Sequence, residues 1–537
     1  MTEHDPTGTR SSHRAGWRQW LGLLLLVLPM LALATDLTVL FLAMPSIAGD
    51  LSPGTSQMLW IVHVYGFFIG GFLITMGRLG DRVGRRRLLL IGTAAFGILS
   101  LIAAYSVSAE MLIVVRALLG IAGATLMPSA YSLLRNLFHH PRQLRFAIAA
   151  MMAAFGGGTA LGPVLGGVLL EFFWWGSVFL VNLPPLMLLL VLGPLLLPEF
   201  REPSGHRLDL ASVALSLGAI LGIIFGIQEM AEHGIHIGYL VAITAGVGLA
   251  VLFIRRQLRL PDPLLDLRLF RNRRFTASLA AVLMLGIGTV GGFYLFTQYL
   301  QWVAGLSPLT AGLWTVPFSL ATVLGMLVAP ALSRWLRPAY VIGGGLLVSA
   351  VGLTGAAVLT TTGSVTWIAA SYSLGAIGQG AATALLSDLI IATAPLAQAG
   401  SAASMQEVSG ELGVALGIAF GGGAGMLVYR ATLTDSVPPA VPQESADTAR
   451  SSVAEALEVA GALPGAVGSE LLQVIEEAFT RALQVGFGFG AVAVTVVAVL
   501  ILVVLGRYQA NRYTDGDGPS QSEPATAETT GEPAARR

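Results

Sequence analysis

Neither lysine nor cysteine occurs anywhere in the 537 residues, and all 30 basic side chains are arginine. Without lysine there is no Walker-type phosphate loop and no pyridoxal Schiff base. Without cysteine there are no disulfides, no thiolate-held iron–sulfur clusters and no thiol nucleophile. Charge is scarce as well. Charged residues make up 11% of the chain, where an ordinary soluble protein carries about 25%. Net charge is zero and no basic surface stands out, so nucleic acid is not an expected partner. What is abundant is apolar: residues from AVILMFWYC make up 55%. The composition is that of an integral membrane protein.

A spanning helix needs roughly 20 mostly apolar residues. Such runs lie near 21–47, 59–77, 88–107, 111–134, 145–170, 175–197, 210–228, 236–254, 276–300, 309–330, 339–360, 366–393, 401–428 and 482–506, which makes fourteen expected spans. The first is not read as a signal peptide, because its apolar character continues to Ala48, past a signal core of ~7–15 residues.

Arginine placement predicts the orientation, since basic residues stay on the cytoplasmic side. Arg10, Arg14 and Arg18 precede the first span, Arg78 to Arg87 follow the second, and further groups follow the fourth, sixth, eighth, tenth and fourteenth. The alternate connections 48–58, 106–110, 171–175 and 229–235 carry no arginine. Both termini are expected in the cytoplasm. The polar stretch 429–479 then faces outward, as a structured hairpin or a loose loop. The Ser/Pro/Thr/Glu/Gly-rich end, 508–537, is expected to be disordered.

An ionisable group within a span costs about 2.5–3.5 kcal/mol on insertion scales and is a site hypothesis by default. Asp36 lies midway along the first span, between Thr35 and Thr38, too deep for a short carboxylate to reach either surface. It reads as a proton-loading group or as a polar clamp between helices. Arg116 in the fourth span is long enough to reach an acid near the midplane, or to snorkel outward. Glu407 and Glu411 stand four apart, on one helical face, and require a wet cavity in which to hold protons or a cation. Asp388 lies near a span end and can reach the interface. His63 is the one histidine within a span, and reads as a packed polar residue. No metal-ligand spacing and no nucleophile–base pattern is present, so neither a catalytic residue nor a metal site is expected.

Glycines give a second signal. The fifth span carries Gly156-Gly157-Gly158, Gly162-Pro163 and Gly166-Gly167, and the thirteenth Gly413, Gly417 and Gly421. Small residues at i and i+4 let helix backbones approach closely, and a proline bends its helix.

The loop after the second span reads Gly77-Arg78-Leu79-Gly80-Asp81-Arg82-Val83-Gly84-Arg85-Arg86-Arg87. It resembles the signature loop of the major facilitator superfamily, G-x-L-x-D-R-x-G-R-R. Gly158 to Gly167 is similar to the antiporter motif of fifth helices in that superfamily. Arg116-x-x-Leu119-Gly120 resembles its fourth-helix motif R-x-x-Q-G, with Leu119 in place of Gln. Asp36-x-Thr38-Val39-Leu40 with Pro45 resembles the first-helix motif of the fourteen-span drug:proton antiporters, and Glu407-x-x-x-Glu411-Leu412-Gly413 their carboxylate motif. Gln406 stands where some members have a further Glu, a change that bears on doubly charged drugs.

The resemblance covers roughly residues 15–508. It implies an all-α membrane protein of the major facilitator fold: a cytoplasmic tail over 1–20, a six-helix bundle over 21–197, two additional helices over 209–257, and a second six-helix bundle over 275–507 that is interrupted by the external segment 429–479. It implies export of lipophilic, often cationic drugs, dyes and biocides, and hence antibiotic resistance. The energy source is the proton gradient, with no other cofactor. Asp36, Glu411 and Arg116 are then expected in proton coupling, Glu407, Glu411 and Asp36 in substrate binding, and Gly77, Asp81, Arg82, Gly84, Arg85 and Arg86 in a conformational latch. Gly158, Gly162, Pro163, Gly166 and Gly167 form the antiporter helix. Protons, membrane lipids and small substrates are the expected partners, in the plasma membrane and as a monomer. Export of an endogenous lipid, siderophore or metabolite is the alternative with the same fold. An intramembrane enzyme and a passive channel are the other classes, and dye efflux with and without a proton gradient separates them.

Overall fold

A computed structural model describes residues 16–138, 140–199, 209–233, 236–260, 263, 267–393, 399–451 and 453–514. The apolar runs become helices because lipid offers backbone N–H and C=O groups no partner, so each span must satisfy its own. The ends are set by local chemistry. Ser108 accepts a hydrogen bond from the Met111 amide to open α4 (Ala109–Leu137). Pro308 starts α11 (Pro308–Leu332), capped by Ser307. Gly84, at φ 117°, supplies the sharp break between α2 (Thr55–Val83) and α3 (Arg85–Ala104), a conformation that L residues avoid.

The first bundle comprises α1 (Trp17–Leu51), α2, α3, α4, α5 (Pro141–Phe172) and a sixth span broken at Val181-Asn182 into α6 (Ser177–Leu180) and α7 (Leu183–Leu196). In it α1 packs on α5 and α7, and α4 on α2 and α3. A hairpin of α8 (Leu210–His233) and α9 (Ile237–Arg259) follows. The second bundle comprises α10 (Arg273–Trp302), α11, α12 (Pro338–Leu359), α13 (Val365–Thr393), the chain α14–π–α15 and α18 (Gly465–Thr514). Here α14 (Ala399–Gly417) and α15 (Gly423–Ser436) are joined by a π-helical turn at Ile418–Gly422.

Among the described residues thirteen helices are long and apolar enough to cross a membrane, and Leu210–Gly226 of α8 is a further, shorter apolar segment. This is the expected count of fourteen. Between α15 and α18 the polar segment forms two short helices, α16 (Gln443–Ser451) and α17 (Val453–Ala462). Tyr429 anchors it, its hydroxyl donating to the Ala449 carbonyl at 3.2 Å. Helix α18 continues to Thr514, beyond the expected start of the disordered tail at 508, and α1 begins at Trp17, inside the expected N-terminal tail. Residues 1–15 and 515–537 lie outside the described residues.

The two bundles meet chiefly where α5 packs on α11, α2 on α14 and α1 on α10. The α8–α9 hairpin is tied internally, with Arg256 pairing with Asp209 at 2.9 Å and Gln257 donating to Ser212 at 2.7 Å. It reaches the rest of the molecule through α8, where Phe67 of α2, Ile224 of α8 and Ala419 of the π turn form one apolar cluster. Ser56 at the start of α2 donates to Glu229 of α8 at 2.8 Å. One end of the molecule carries Arg78 to Arg87, Arg334 and Arg337; it is called the arginine-rich end, and the end carrying Ser56, Trp302 and α16–α17 the opposite end.

Candidate functional site

Asp36 and Arg116, apart by 80 residues in sequence, form a buried ion pair. Nη1 of Arg116 donates to Oδ2 of Asp36 at 2.5 Å, and the two side chains are 1% and 0% exposed. Nε of Arg116 donates to the Ile61 carbonyl at 3.2 Å, and its guanidinium lies over the Tyr65 ring, 4.4 Å from the centroid. Asn182 donates to the other oxygen of Asp36 at 3.5 Å. The helix break at Val181-Asn182, followed by Pro184 and Pro185, is what places this amide at the ion pair. The site thus draws on α1, α2, α4 and the α6–α7 break. Thr38 plays no part in holding Asp36, since its hydroxyl is engaged with the carbonyls of Ala34 and Thr159.

Glu407 and Glu411 lie on α14, across the seam from α2. Glu411 is 7% exposed, and its Oε2 is buried with no protein partner. Opposite it is Gly70, whose missing side chain leaves room: a methyl built there would sit 3.7 Å from Glu411 Cβ. Glu407 and Tyr65 are both within electrostatic reach of Glu411, and Tyr131 of α4 within reach of Glu407. Helix α2 therefore touches both groups, with Tyr65 under the Arg116 guanidinium and Gly70 against Glu411. Gln406 faces away, donating to Ser387 Oγ at 2.6 Å. Among the described residues no group of three or more His, Asp or Glu gathers as a metal site would require.

The glycines of α5 split into two faces. Gly158, Gly162 and Gly166 lie against α1: a methyl at Gly158 would come within 2.7 Å of Ala34 Cβ, and one at Gly166 within 2.9 Å of Val39 Cγ2. Gly167 faces the other bundle, 2.6 Å from the Pro308 carbonyl oxygen by the same measure, and Gly312 of α11 meets the Pro163 carbonyl at 2.5 Å. The motif therefore glues α5 to α1 and also lets the two bundles touch at the end opposite the arginines.

In the signature loop, Gly77 and Asp81 lie on α2, with Arg82 at its end. Arg85 and Arg86 open α3, where the Arg86 amide and guanidinium engage Glu199 and the guanidinium also donates to the Leu197 carbonyl at 2.9 Å. Arg78 donates to the Pro263 carbonyl in the segment leading to α10. The loop is thus tied to the end of α7 and to the approach to the second bundle. Sequence reasoning missed Glu199, Tyr65 and Asn182. Asn182 had a legible signal, a lone amide in an apolar run beside two prolines. Tyr65 had none, because a tyrosine in a span reads as packing.

This arrangement, a buried ion pair in one bundle facing carboxylates in the other, on a frame of two six-helix bundles, defines a class of membrane protein. The chain belongs to the Major Facilitator Superfamily, whose family model matches residues 26–418. It is 40% identical over 472 residues to the multidrug efflux pump LfrA of Mycolicibacterium smegmatis, covering 88% of this chain and 93% of that protein. It is 33% identical to the methyl viologen resistance protein SmvA of Salmonella typhimurium, covering 86% and 93%. Among solved structures, a bacterial homologue of the human lysosomal transporter Spinster, inward-facing and unoccupied, matches with a TM-score of 0.66 at 16% identity, covering 91% of this chain and 99% of that one. At that identity the likeness concerns the fold.

Proposed function

We propose that the protein is a proton-coupled antiporter that exports lipophilic, often cationic drugs from the cell. The observation that carries this reading is the placement of both sites on α2: Tyr65 of that helix lies against Arg116 of the buried Asp36 pair, and Gly70 lies against Glu411 of the other bundle. A carboxylate buried without a partner in a site of low dielectric attracts a cation far more strongly than one in water. Glu407 and Glu411 therefore recruit either a proton or a cationic drug, and the two compete. Asp36 exchanges its own proton when the bundles rock and water reaches it, and Arg116 holds the deprotonated form. Asn182 and the Ile61 carbonyl fix both partners in place. The relatives support the drug class: one bears multidrug efflux in its name and the other methyl viologen resistance.

In this reading the arginine-rich end faces the cytoplasm, the pump works as a monomer in the plasma membrane without a cofactor, and the signature loop biases the open and closed states. The narrower alternative, export of a single endogenous compound, draws support from likeness to the tetracenomycin C resistance and export protein of Streptomyces glaucescens, 29% identical over 90% of this chain. Everted vesicles given a cationic dye in the outer medium decide. Uptake that follows an imposed pH step and collapses with a protonophore is expected, while uptake indifferent to the pH step would overturn proton coupling. Failure to move any of a panel of unrelated lipophilic cations would favour the narrower reading.

A further inference from the structure

Helix α1 contains Pro45. A proline inside a helix has no N–H to give to the carbonyl four residues earlier, and its ring pushes that carbonyl aside. The carbonyl so released is that of Phe41. It is not left bare. Nε2 of Gln298 donates to it at 3.2 Å, with the Thr297 hydroxyl at 3.5 Å. Nε2 of Gln301, one turn along α10, donates to the neighbouring Leu42 carbonyl at 3.1 Å. These bonds run from the second bundle to the first. They lie at the end opposite the arginines, where Gly167 and Gly312 bring the backbones of the other seam together.

Gln298 is completely buried, and its Oε1 has no protein partner. It borders a cavity of about 10 Å³ lined also by Met58, Leu59, Tyr294, Trp302 and Met426. That is the room of about one water. A water entering there can take up Gln298 as its bond to α1 breaks, so the contact is built to be released as well as to hold.

We infer that Gln298 and Gln301 form the polar latch of the exit gate, closing on the Phe41 carbonyl that Pro45 sets free and on the neighbouring Leu42 carbonyl, and that its release opens the transporter at this end. The residues act on the conformational step and do not touch substrate. The inference rests on the transport reading above, but its test reads closure directly.

The chain has no native cysteine, so a single probe can be placed at Leu59, 5% exposed beside the cavity (Leu59→Cys). Its reaction with a maleimide in permeabilised membranes reports how often the gate is open, whichever way the protein is oriented. Gln298→Leu, Gln301→Leu and Pro45→Ala are each expected to raise the rate roughly 2- to 10-fold, the span of one net hydrogen bond. Pro45→Ala restores the helical partner of Phe41, so combining it with Gln298→Leu should raise the rate no further than the stronger single change. Unchanged rates in all three variants, or single effects that multiply in the double variant, would overturn the latch. So would an equal rise at the exposed reference Ser469→Cys, which would signal general loosening. Faster labelling together with dye efflux indifferent to pH would sink proton antiport and leave the latch standing.

Discussion

Asp36 and Glu411 are buried carboxylates in opposite circumstances, and the difference sets what each substitution does. Asp36 has a cation in contact, so its charge and that of Arg116 depend on each other. Removing one member of a buried pair costs about 3–5 kcal/mol because the other is left uncompensated. Arg116→Leu is therefore expected to lower the amount of folded protein sharply. Asp36→Asn keeps the shape and one acceptor for Arg116, whose guanidinium also retains the Ile61 carbonyl and the Tyr65 ring, so it should lower the amount of folded protein less than Arg116→Leu does while abolishing uphill efflux. Quantified membrane protein alongside vesicle transport checks both, and counter-gradient accumulation by Asp36→Asn that follows a pH step would remove Asp36 from the proton path. Glu407 bears no such debt to a partner. Glu407→Gln should reduce efflux of a quaternary ammonium dye at least several-fold more than efflux of a neutral lipophilic compound of similar size. Equal losses would show that Glu407 serves coupling or structure instead of cation recognition. Most of this site was legible in the sequence, because a charge in an apolar run is conspicuous. The pairing of Asp36 with Arg116 was foreseeable only as a matter of reach, and the place of Tyr65 under the Arg116 guanidinium depends on the packing of α2 on α4, which no local pattern encodes.

Helix α5 shows how one run of glycines serves two purposes that its spacing cannot separate. The i, i+4, i+8 series at Gly158, Gly162 and Gly166 lies along α1, where any added atom meets a neighbour already in place. Gly167, one residue on, turns some 100° further round the helix and meets α11 of the other bundle. Gly156 and Gly157 have nothing within 4 Å of an added methyl. Three outcomes follow from three substitutions in one helix. Gly162→Val overpacks a static contact and should cost about 1–3 kcal/mol of bundle stability, seen as a lower melting temperature in detergent. Gly167→Val strains a contact made only when the far end is closed, so the melting temperature should change less while dye turnover falls and labelling of Leu59→Cys rises. Gly156→Ala should change neither. Loss of stability at Gly167→Val equal to that at Gly162→Val would mean that the α5–α11 contact is a fixed part of the fold. The π turn at Ile418–Gly422 was invisible in advance, since its glycines read equally well as close packing against α10, which they also provide.

At the scale of the whole molecule, the fourteen spans could be counted from apolar length alone, and their division into two bundles and a hairpin follows their packing. What length cannot reveal is which seams close. That depends on backbone contacts at Gly167 and Gly312 and on the α1 carbonyls beside Pro45, features with no hydrophobic signature. Orientation is the global property on which the direction of transport depends, and arginine distribution is its physical cause: a guanidinium has to be carried across the membrane against the potential if its loop is to face outward. The turn between α11 and α12 carries Arg334 and Arg337 and exposes Trp335, 89% accessible. Ser469, at the opposite end near the start of α18, is also exposed. In a chain with no cysteine of its own, Ser469→Cys should react with a membrane-impermeant maleimide in intact cells, while Trp335→Cys should react only after permeabilisation. Both probes replace surface residues, so neither should disturb packing. If Trp335→Cys labels from outside and Ser469→Cys does not, both termini lie outside, Glu407 and Glu411 open to the cytoplasm from the other end, and the arginines must be held in place by something other than the positive-inside rule.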